Sequence, residues 1–412
     1  MTTNRREFIW LGAAGFAGAV QLQSSRRPIP AGAIEKALTA PVVRPELWAA
    51  PIPIASVELL EGAGDFLVRV RSRDGAEGIA VGHPDVLETT WPILARRVAP
   101  FFVGKDARHL DSLIDGVYLA SSNYKWQGLA FWVPVAAVEI AILDLLGKLA
   151  RKPLGDLLGG VRTRDIAVYR ASGNRGNSPE QEIEYLQRVI AETGATAIKY
   201  RLGARMRVDA ASTKRDLAMI PLTRKVFGDA MTIYADANGS YDVPTSLRIG
   251  RLLQEHRHAF LEEPVPFDFY DETREIADTL PIPVAGGEQE SSLRRFRWMI
   301  EHRGVDIVQP DLLYFGGFIR SIRVARMAAA AGMDCTPHMS GGGLGYLYVA
   351  HFASCVANAG PHQEFKGTED TLPVFSDTSP LSCVNGRLRV PSGPGLGVTI
   401  DPDYIKRATL LT

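Results

Sequence analysis

The pattern of apolar and polar residues changes twice along the chain. From Ile54 to His83 the run IASVELLEGAGDFLVRVRSRDGAEGIAVGH alternates apolar with polar, punctuated by Gly-rich and Asp-Gly turn signals. Period-two alternation between such turns predicts an antiparallel meander of about three strands. Helical spacings follow in PDVLETTWPILARRVAPFFVG, DARHLDSLIDGVYLAS and PVAAVEIAILDLLGKLAR. Residues 51–163 therefore read as an α+β domain.

Beyond residue 164 the pattern becomes short apolar runs separated by amphipathic ones. DIAVYRAS, TAIKYRLG, MTIYAD, HAFLEE, IPVAGGE, VDIVQPD, MDCTPH and PHQEF read as eight strands. Segments such as SPEQEIEYLQRVIAETG and FIRSIRVARMAAAAG read as the helices between them. One polar residue marks each strand from the second onward: Lys199, Asp236, Glu262, Glu288, Asp311, His338 and Glu364, at steps of 37, 26, 26, 23, 27 and 26. A strand, a helix and two loops take about that many residues in a β/α barrel. The spacing predicts a TIM-like (β/α)8 barrel over 164–366. The closing stretch 367–412 holds short turn-rich strands, NGRLRVPSGPGLGV, and is expected to return to the first domain.

Barrel active sites form at the C-terminal ends of the strands. Asp236, Glu262 and Glu288 each close an apolar run, so three carboxylates are expected to converge there. Without a cation they would repel one another. A hard divalent ion with oxygen ligands, Mg2+ above all, fits such a set. Lys199 and Arg201 stand two apart on an apolar strand and point to the same side.

These motifs resemble the enolase superfamily and, within it, the mandelate racemase subgroup. The resemblance rests on Lys199 with its partner two along, Asp236 with Asn238, Glu262 in LEEP, Glu288 in GGE, Asp311 in QPD and His338 in TPH. It spans roughly residues 54–405, and AAVEIAILDLLGKLARKPLGDLLGG looks like the family's helix leading into the barrel. It implies that the α+β domain caps the barrel mouth and holds the substrate-specificity loops. It also implies a Lys or His base working with Mg2+ on a carbon acid. His338 is the expected base or acid, with Asp311 orienting its ring. The chain departs from the racemase at one place, Lys-x-Arg for Lys-x-Lys. A dry Lys199 near other cations could drop toward a neutral pKa and act as a base. Arg is a poor base, so Arg201 either binds the substrate carboxylate or is unusually perturbed. Glu364 resembles the final acid that hydrogen-bonds an enediolate, for which burial would have to keep it protonated. Asn238 could support a ligand or a metal-bound water, whereas Gln309 could be plain packing. In the cap, His83, Tyr124, Lys125 and Trp126 are candidate substrate contacts. The glycine run Ser340–Gly345 lacks the Lys-Ser/Thr of a phosphate loop.

Proton abstraction next to a carboxylate of an acid sugar leads to two outcomes. Dehydration to a 2-keto-3-deoxy acid needs one base and one acid. Racemisation or epimerisation of a 2-hydroxy acid needs a base on each face, which Lys-x-Arg supplies less well. A third reading is a periplasmic ligand-binding protein that has lost catalysis; the full set of acids argues against it. The expected partner is a small carboxylate substrate, and the protein is expected to be a homo-oligomer.

Composition adds address and exclusions. Of 412 residues, 46% are hydrophobic and 22% charged, enough for more than one core. The 46 basic and 46 acidic residues cancel, so nothing in the charge balance argues for nucleic acid or a membrane surface as partner. No uninterrupted apolar run reaches the ~18 residues of a spanning segment. Residues 1–33 resemble a twin-arginine export signal, with Arg5 and Arg6 before a short Ala/Gly-rich run and small-residue sites at Ala17-Gly18-Ala19 and Ala31-Gly32-Ala33. This predicts a periplasmic protein, with cytoplasm as the alternative. Residues 34–50 read as a linker. Cys335, Cys355 and Cys383 give no disulfide framework, and Cys335 reads as a buried small apolar residue.

Overall fold

Alternation in the meander becomes three antiparallel strands, β1 (Ile54–Gly62), β2 (Asp65–Ser72) and β3 (Glu77–Val81). The computed structural model describes residues 28–341, 343–367 and 372–412. The twin-arginine pattern and its first cleavage site lie outside the described residues, as does Gly342 of the glycine run. The β1–β2 loop is the pair Ala63-Gly64, both at positive φ (51° and 90°), the handedness that a two-residue hairpin requires. One face of the sheet buries Val68 and Val70. On the other, Arg71 bridges Glu58 and Glu77 at 2.8 and 3.1 Å.

The buried face packs on the helix Leu129–Ala150, which is long and apolar enough to cross a membrane but lies inside the protein. Contact is close because residue 78 is glycine. A Cβ there would stand 2.1 Å from the Ala141 carbonyl oxygen. Two acids in this apolar helix tie three parts of the molecule together. Glu139 accepts from the Phe318 and Ile319 amides (2.7 and 2.8 Å), capping a barrel helix, Phe318–Ala330. Asp144 accepts from Ile79 in the cap sheet and Leu396 in the tail, both at 2.9 Å.

The eight predicted barrel strands are present: β4 (Asp165–Ala171), β5 (Ala197–Arg201), β6 (Thr232–Asp236), β7 (Leu261–Glu262), β8 (Val284–Gly286), β9 (Ile307–Val308), β10 (Asp334–Cys335) and β11 (Gln363–Phe365). Each pairs in parallel with the next from β4 to β10, and β11 pairs with β4. The last seam, between β10 and the chain entering β11, is a single parallel bridge from Cys335 to Ala359. Cys335 is fully buried there. Short ladders suffice because the helices outside and the aromatic layer inside (Tyr169, Tyr234, Phe260) supply the packing.

Two expectations about connecting segments change. Residues 34–50 are not a linker. Ala33–Thr39 is a helix, Ile34, Ala37, Val42, Val43 and Trp48 are buried, and the Asp111 carboxylate accepts from the Val42 and Val43 amides at 3.1 and 2.9 Å. The Pro and Ala content suggested a spacer, but the apolar residues among them find a surface to cover. The tail also divides. Its strands β12 (Val374–Phe375) and β15 (Thr399–Ile400) pair with each other. Strands β13 (Cys383–Val384) and β14 (Arg387–Arg389) form a hairpin on the barrel strand β4. Only β16 (Thr409–Leu411) joins the cap sheet, beside β1.

Candidate active site

The parallel register puts the ends of neighbouring strands level, and the functional side chains follow from that. Asp236 and Glu262 are the last residues of β6 and β7 and are paired across the ladder. Glu288 follows β8 by two residues, after the left-handed Gly287 (φ 109°). One carboxylate oxygen from each of the three lies within 4.8 Å of the others, and all three side chains are buried. Opposite oxygens around Mg2+ stand about 4 Å apart, so a small inward shift of these side chains would let them hold that ion. Glu262 Oε1 has no hydrogen-bond partner among the described residues. A buried, unpaired carboxylate oxygen in an all-oxygen cluster is the donor set of a hard cation.

Protein cations meet this charge from the β5 side. Lys199 Nζ lies 2.7 Å from Glu262 Oε2 and 3.2 Å from Glu364 Oε1, with no exposed surface. Burial would lower its pKa, but Glu262 and Glu364 outweigh burial and raise it. Sequence pointed to cationic neighbours for Lys199; its nearest partners here are carboxylates, which in the metal-free site favour its charged form, with Arg201 acting against them. The Arg201 guanidinium contacts Asp236, reaches Glu364 Oε1 at 3.6 Å and donates to the Ser172 carbonyl at 3.1 Å. Burial opposes its charge, yet Glu364 and Glu288 raise its pKa, so it is not a perturbed base either.

Asn238 and Glu263 both take left-handed backbone (φ 40° and 41°) directly beyond the strand ends. The turn aims the Asn238 amide at the triad, where it donates to Asp236 Oδ2 and Glu288 Oε1, each at 3.2 Å. Backbone strain of this kind is kept where surrounding structure demands it. Glu263 is buried, and its pKa is raised well above the usual range by burial and then by Glu288 and Glu262.

The opposite side carries the titratable group. His338 Nδ1 lies 2.7 Å from Asp311 Oδ2, and Asp311 Oδ1 accepts from the Leu313 and Tyr314 amides at 2.8 Å each. The Asp311–His338 pair also forms a parallel bridge between adjacent strand ends. This leaves Nε2 facing the interior, 3.2 Å from Glu288 Oε2 and 3.7 Å from Glu364 Oε2. Burial pulls the ring's pKa down, but Glu288 first, with Glu364 and the Asp311 bond, raises it. Glu288 moves oppositely: burial pushes up, while His338, Arg201 and Lys199 hold it down to about 2.

Glu364 sits in β11 between the two sides. Burial alone would protonate it, as sequence suggested, but Lys199, Lys366 and His338 drive its pKa well below the usual carboxylate range. In the metal-free site these cations favour its anionic form, opposite to the direction that burial alone would give. Gln309 is buried, with neither amide atom hydrogen-bonded among the described residues.

Of the cap candidates, His83 reaches the barrel. Its ring stacks on Tyr314 (centroids 5.3 Å), its Nε2 lies 3.2 Å from the Tyr314 hydroxyl, and Tyr314 stands 6.3 Å from the His338 ring. Tyr124, Lys125 and Trp126 do not join it. They lie in the short helix Ala120–Trp126, and the Trp126 ring is covered by Arg97 at 5.2 Å within the cap itself. Sequence reasoning missed four groups. Glu263 shares the LEEP motif, Tyr314 follows Asp311 by three, and Lys366 follows Glu364 by two, placing Nζ 3.5 Å from His338 Nε2. Arg175, in a Gly- and Asn-rich loop after β4, donates to Asn238 Oδ1; burial, then Arg201 and Arg205, lowers its pKa to about 10.

Residues 181–404 match the family described as enolase C-terminal domain-like, and residues 37–159 match the mandelate racemase/muconate lactonizing enzyme N-terminal domain. An arabinonate dehydratase from Saccharolobus solfataricus is 29% identical over 327 residues, covering 79% of this chain and 84% of its own. The crystal structure of a putative racemase from Roseobacter denitrificans superposes with a TM-score of 0.81 at 34% identity, over 87% of this chain and 99% of that one. A mandelate racemase/muconate lactonizing protein from Paracoccus denitrificans, solved with magnesium, gives 0.80 at 28% identity over 88% and 99%.

Proposed function

The chain belongs to the mandelate racemase/muconate lactonizing enzyme family of the enolase superfamily, and from that premise we propose that it is an acid-sugar dehydratase. It removes the proton alpha to the substrate carboxylate and expels the β-hydroxyl, giving a 2-keto-3-deoxy acid. One observation carries the choice. The Asp311-bound ring of His338 turns Nε2 into the site, opposite Lys199 and Arg201, whose charged ends are both engaged by carboxylates.

Asp236, Glu262 and Glu288 would hold Mg2+. Bound there, the ion supplies fixed positive charge where the substrate carboxylate gains negative charge. Lys199 and Arg201 add two buried cations on the same side and serve to bind and orient that carboxylate. Asp311 accepts the Nδ1 proton, so Nε2 is the working atom of the ring. Nε2 takes the alpha proton, and Asp311 stabilises the resulting imidazolium. The C–O bond to the β-hydroxyl then breaks, Nε2–H protonates the departing oxygen, and water leaves. The enol left behind takes a proton from solvent at C3 and becomes the ketone. A raised pKa at His338 suits a group that must hold a proton between two steps.

Relatives named as acid-sugar dehydratases support this reading. A racemase would need a second base facing His338, and Lys199, ion-paired with Glu262 and Glu364, is less suited to that role. The test is a screen of aldonic and aldaric acids with Mg2+, detecting 2-keto acids as semicarbazones. Keto acid from at least one of them, abolished by EDTA, supports the proposal. Its absence across the library removes it. The twin-arginine pattern supports a periplasmic setting, which cell fractionation would test.

A further inference from the structure

A second cavity, of about 490 Å3, opens where the cap meets the barrel and shares no residue with the site above. Its barrel wall is the start of the helix Leu293–Glu301, with Ser291, Ser292, Arg294 and Arg295, together with Arg320 of the helix Phe318–Ala330. Its cap wall includes Gln127 and Trp132. Among the described residues no Asp or Glu lines it.

Arg320 is the informative residue. It is only 6% exposed, and its guanidinium lies 3.5 Å from the centre of the Trp132 ring and 4.4 Å from that of Phe315. It donates to the Phe315 and Ser291 carbonyls at 2.6 and 2.7 Å. Among the described residues no carboxylate lies within ion-pair distance of it. Asp115, whose field reaches it most strongly, is bonded to Arg323 at 2.6 Å. Glu139, also nearby, is committed to the amides of Phe318 and Ile319.

Its neighbours repeat the imbalance. Arg294 is exposed and has no ion pair among the described residues. Arg295 has only Glu290, at 3.6 Å, and Glu290 is already bonded to the Ser291 and Ser292 amides and the Tyr270 hydroxyl. Aromatic faces offset part of the cost of burying a guanidinium, but they do not neutralise it. Three arginines lining one hollow, with Glu290 as their one close acid among the described residues and that acid shared with three other donors, form the recognition pattern of a planar or tetrahedral oxyanion.

We propose that this cavity is a binding site for a small oxyanion, a phosphate or carboxylate group carried by a metabolite, held by Arg294, Arg295 and Arg320. The cavity is larger than a bare phosphate and leaves room for an organic remainder against Trp132 and Gln127. Arg320 also bridges the loop three residues beyond Glu288 and the loop four residues beyond Asp311. The occupant would therefore sit on the residue that links those two loops.

Calorimetric titration of the Mg2+-loaded protein with inorganic phosphate, and separately with malonate, at constant ionic strength tests this. Saturable binding with one cavity-dependent site per chain is expected. Arg294→Gln/Arg295→Gln should weaken that binding at least tenfold while leaving the melting temperature in chloride unchanged. The double variant also separates cavity binding from any phosphate taken up at the metal. Arg320→Lys, which keeps charge but loses the fork, should weaken it as well. Tighter phosphate binding identifies a phosphorylated occupant, and tighter malonate binding a carboxylate. Equal heats for wild type and double variant, or no saturable heat, overturns the proposal. So does a double variant that changes oligomeric mass without changing the phosphate isotherm, because the arginines would then face a second copy.

Discussion

Replacing His338 with Asn removes the proton carrier and leaves its surroundings nearly intact. Asp311 keeps its two amide donors at 2.8 Å, and the Asn amide can still donate toward Oδ2. At most one charge-assisted hydrogen bond is exchanged for a neutral one, which costs about 1–2 kcal/mol. The effect on catalysis is far larger. A positioned general acid or base contributes about 10^2–10^4-fold, and here one ring does both jobs. We expect kcat to fall by about 10^3-fold or more, roughly 4 kcal/mol of barrel-site stabilisation of the transition state. Mg2+ affinity should hold or tighten, because no ligand is lost and a competing cation beside Glu288 disappears. The pH dependence gives an independent signature. Proton abstraction requires neutral Nε2, and its pKa is raised. Wild-type kcat/KM should therefore rise through a pKa above 6.5, and the variant should lack that limb. Linkage runs the same way: the stability His338 contributes is complete below its unfolded pKa and fades as pH rises through the folded value. The variant's deficit in stability should thus be larger at pH 6 than at pH 9. Steady-state assays with calorimetric Mg2+ titration and urea melts read all of this. Retention of more than a tenth of wild-type kcat, or an unchanged acidic limb, would refute the assignment of His338.

Three further outcomes follow from the geometry. Mg2+ should raise the melting temperature, since it binds three buried carboxylates of the native state only; at 100 times Kd the gain is about 2.7 kcal/mol, and Glu262→Gln should remove most of it in a thermal-shift titration. Glu139 has its pKa raised to about 8, chiefly by burial; the native state holds its proton more tightly than the unfolded chain, so stability should decline as pH rises from about 4.5 to 8. Urea midpoints at pH 5 and pH 8.5 should therefore differ less for Glu139→Gln than for wild type. Gly78→Ala puts a Cβ 2.1 Å from the Ala141 carbonyl oxygen, and should destabilise the cap by about 1–3 kcal/mol or more by overpacking; a variant melting like wild type would contradict that packing.

What the sequence made legible was whatever repeats locally. Asp236, Glu262, Glu288, Asp311, His338 and Glu364 could be placed because each ends or follows an apolar run at barrel spacing, and parallel register does the rest. The meander was readable from alternation and from Ala63-Gly64. Charge state was not, because it depends on which residues meet. Lys199 looked like a member of a cationic pair, yet β7 and β11, each two strands away, bring Glu262 and Glu364 to it and favour its charged form. A similar encounter with Lys199 and Lys366 favours the anionic form of Glu364. Residues 34–50 were misread because composition signals a spacer, while burial of Ile34 and Trp48 depends on surfaces far along the chain. Short strands such as Arg387–Arg389 carry too little pattern to name their neighbour, so the hairpin on β4 was not foreseen. Arg320 gave no signal, since only the fold shows an arginine buried against Trp132 without a carboxylate.

The central claim is elimination through one proton carrier. Incubating the Mg2+-loaded enzyme with its acid-sugar substrate in D2O, followed by NMR, tests it most directly. The account predicts a 2-keto-3-deoxy acid carrying solvent deuterium at C3. A C2-inverted substrate bearing deuterium at C2, with no keto acid formed, would contradict it.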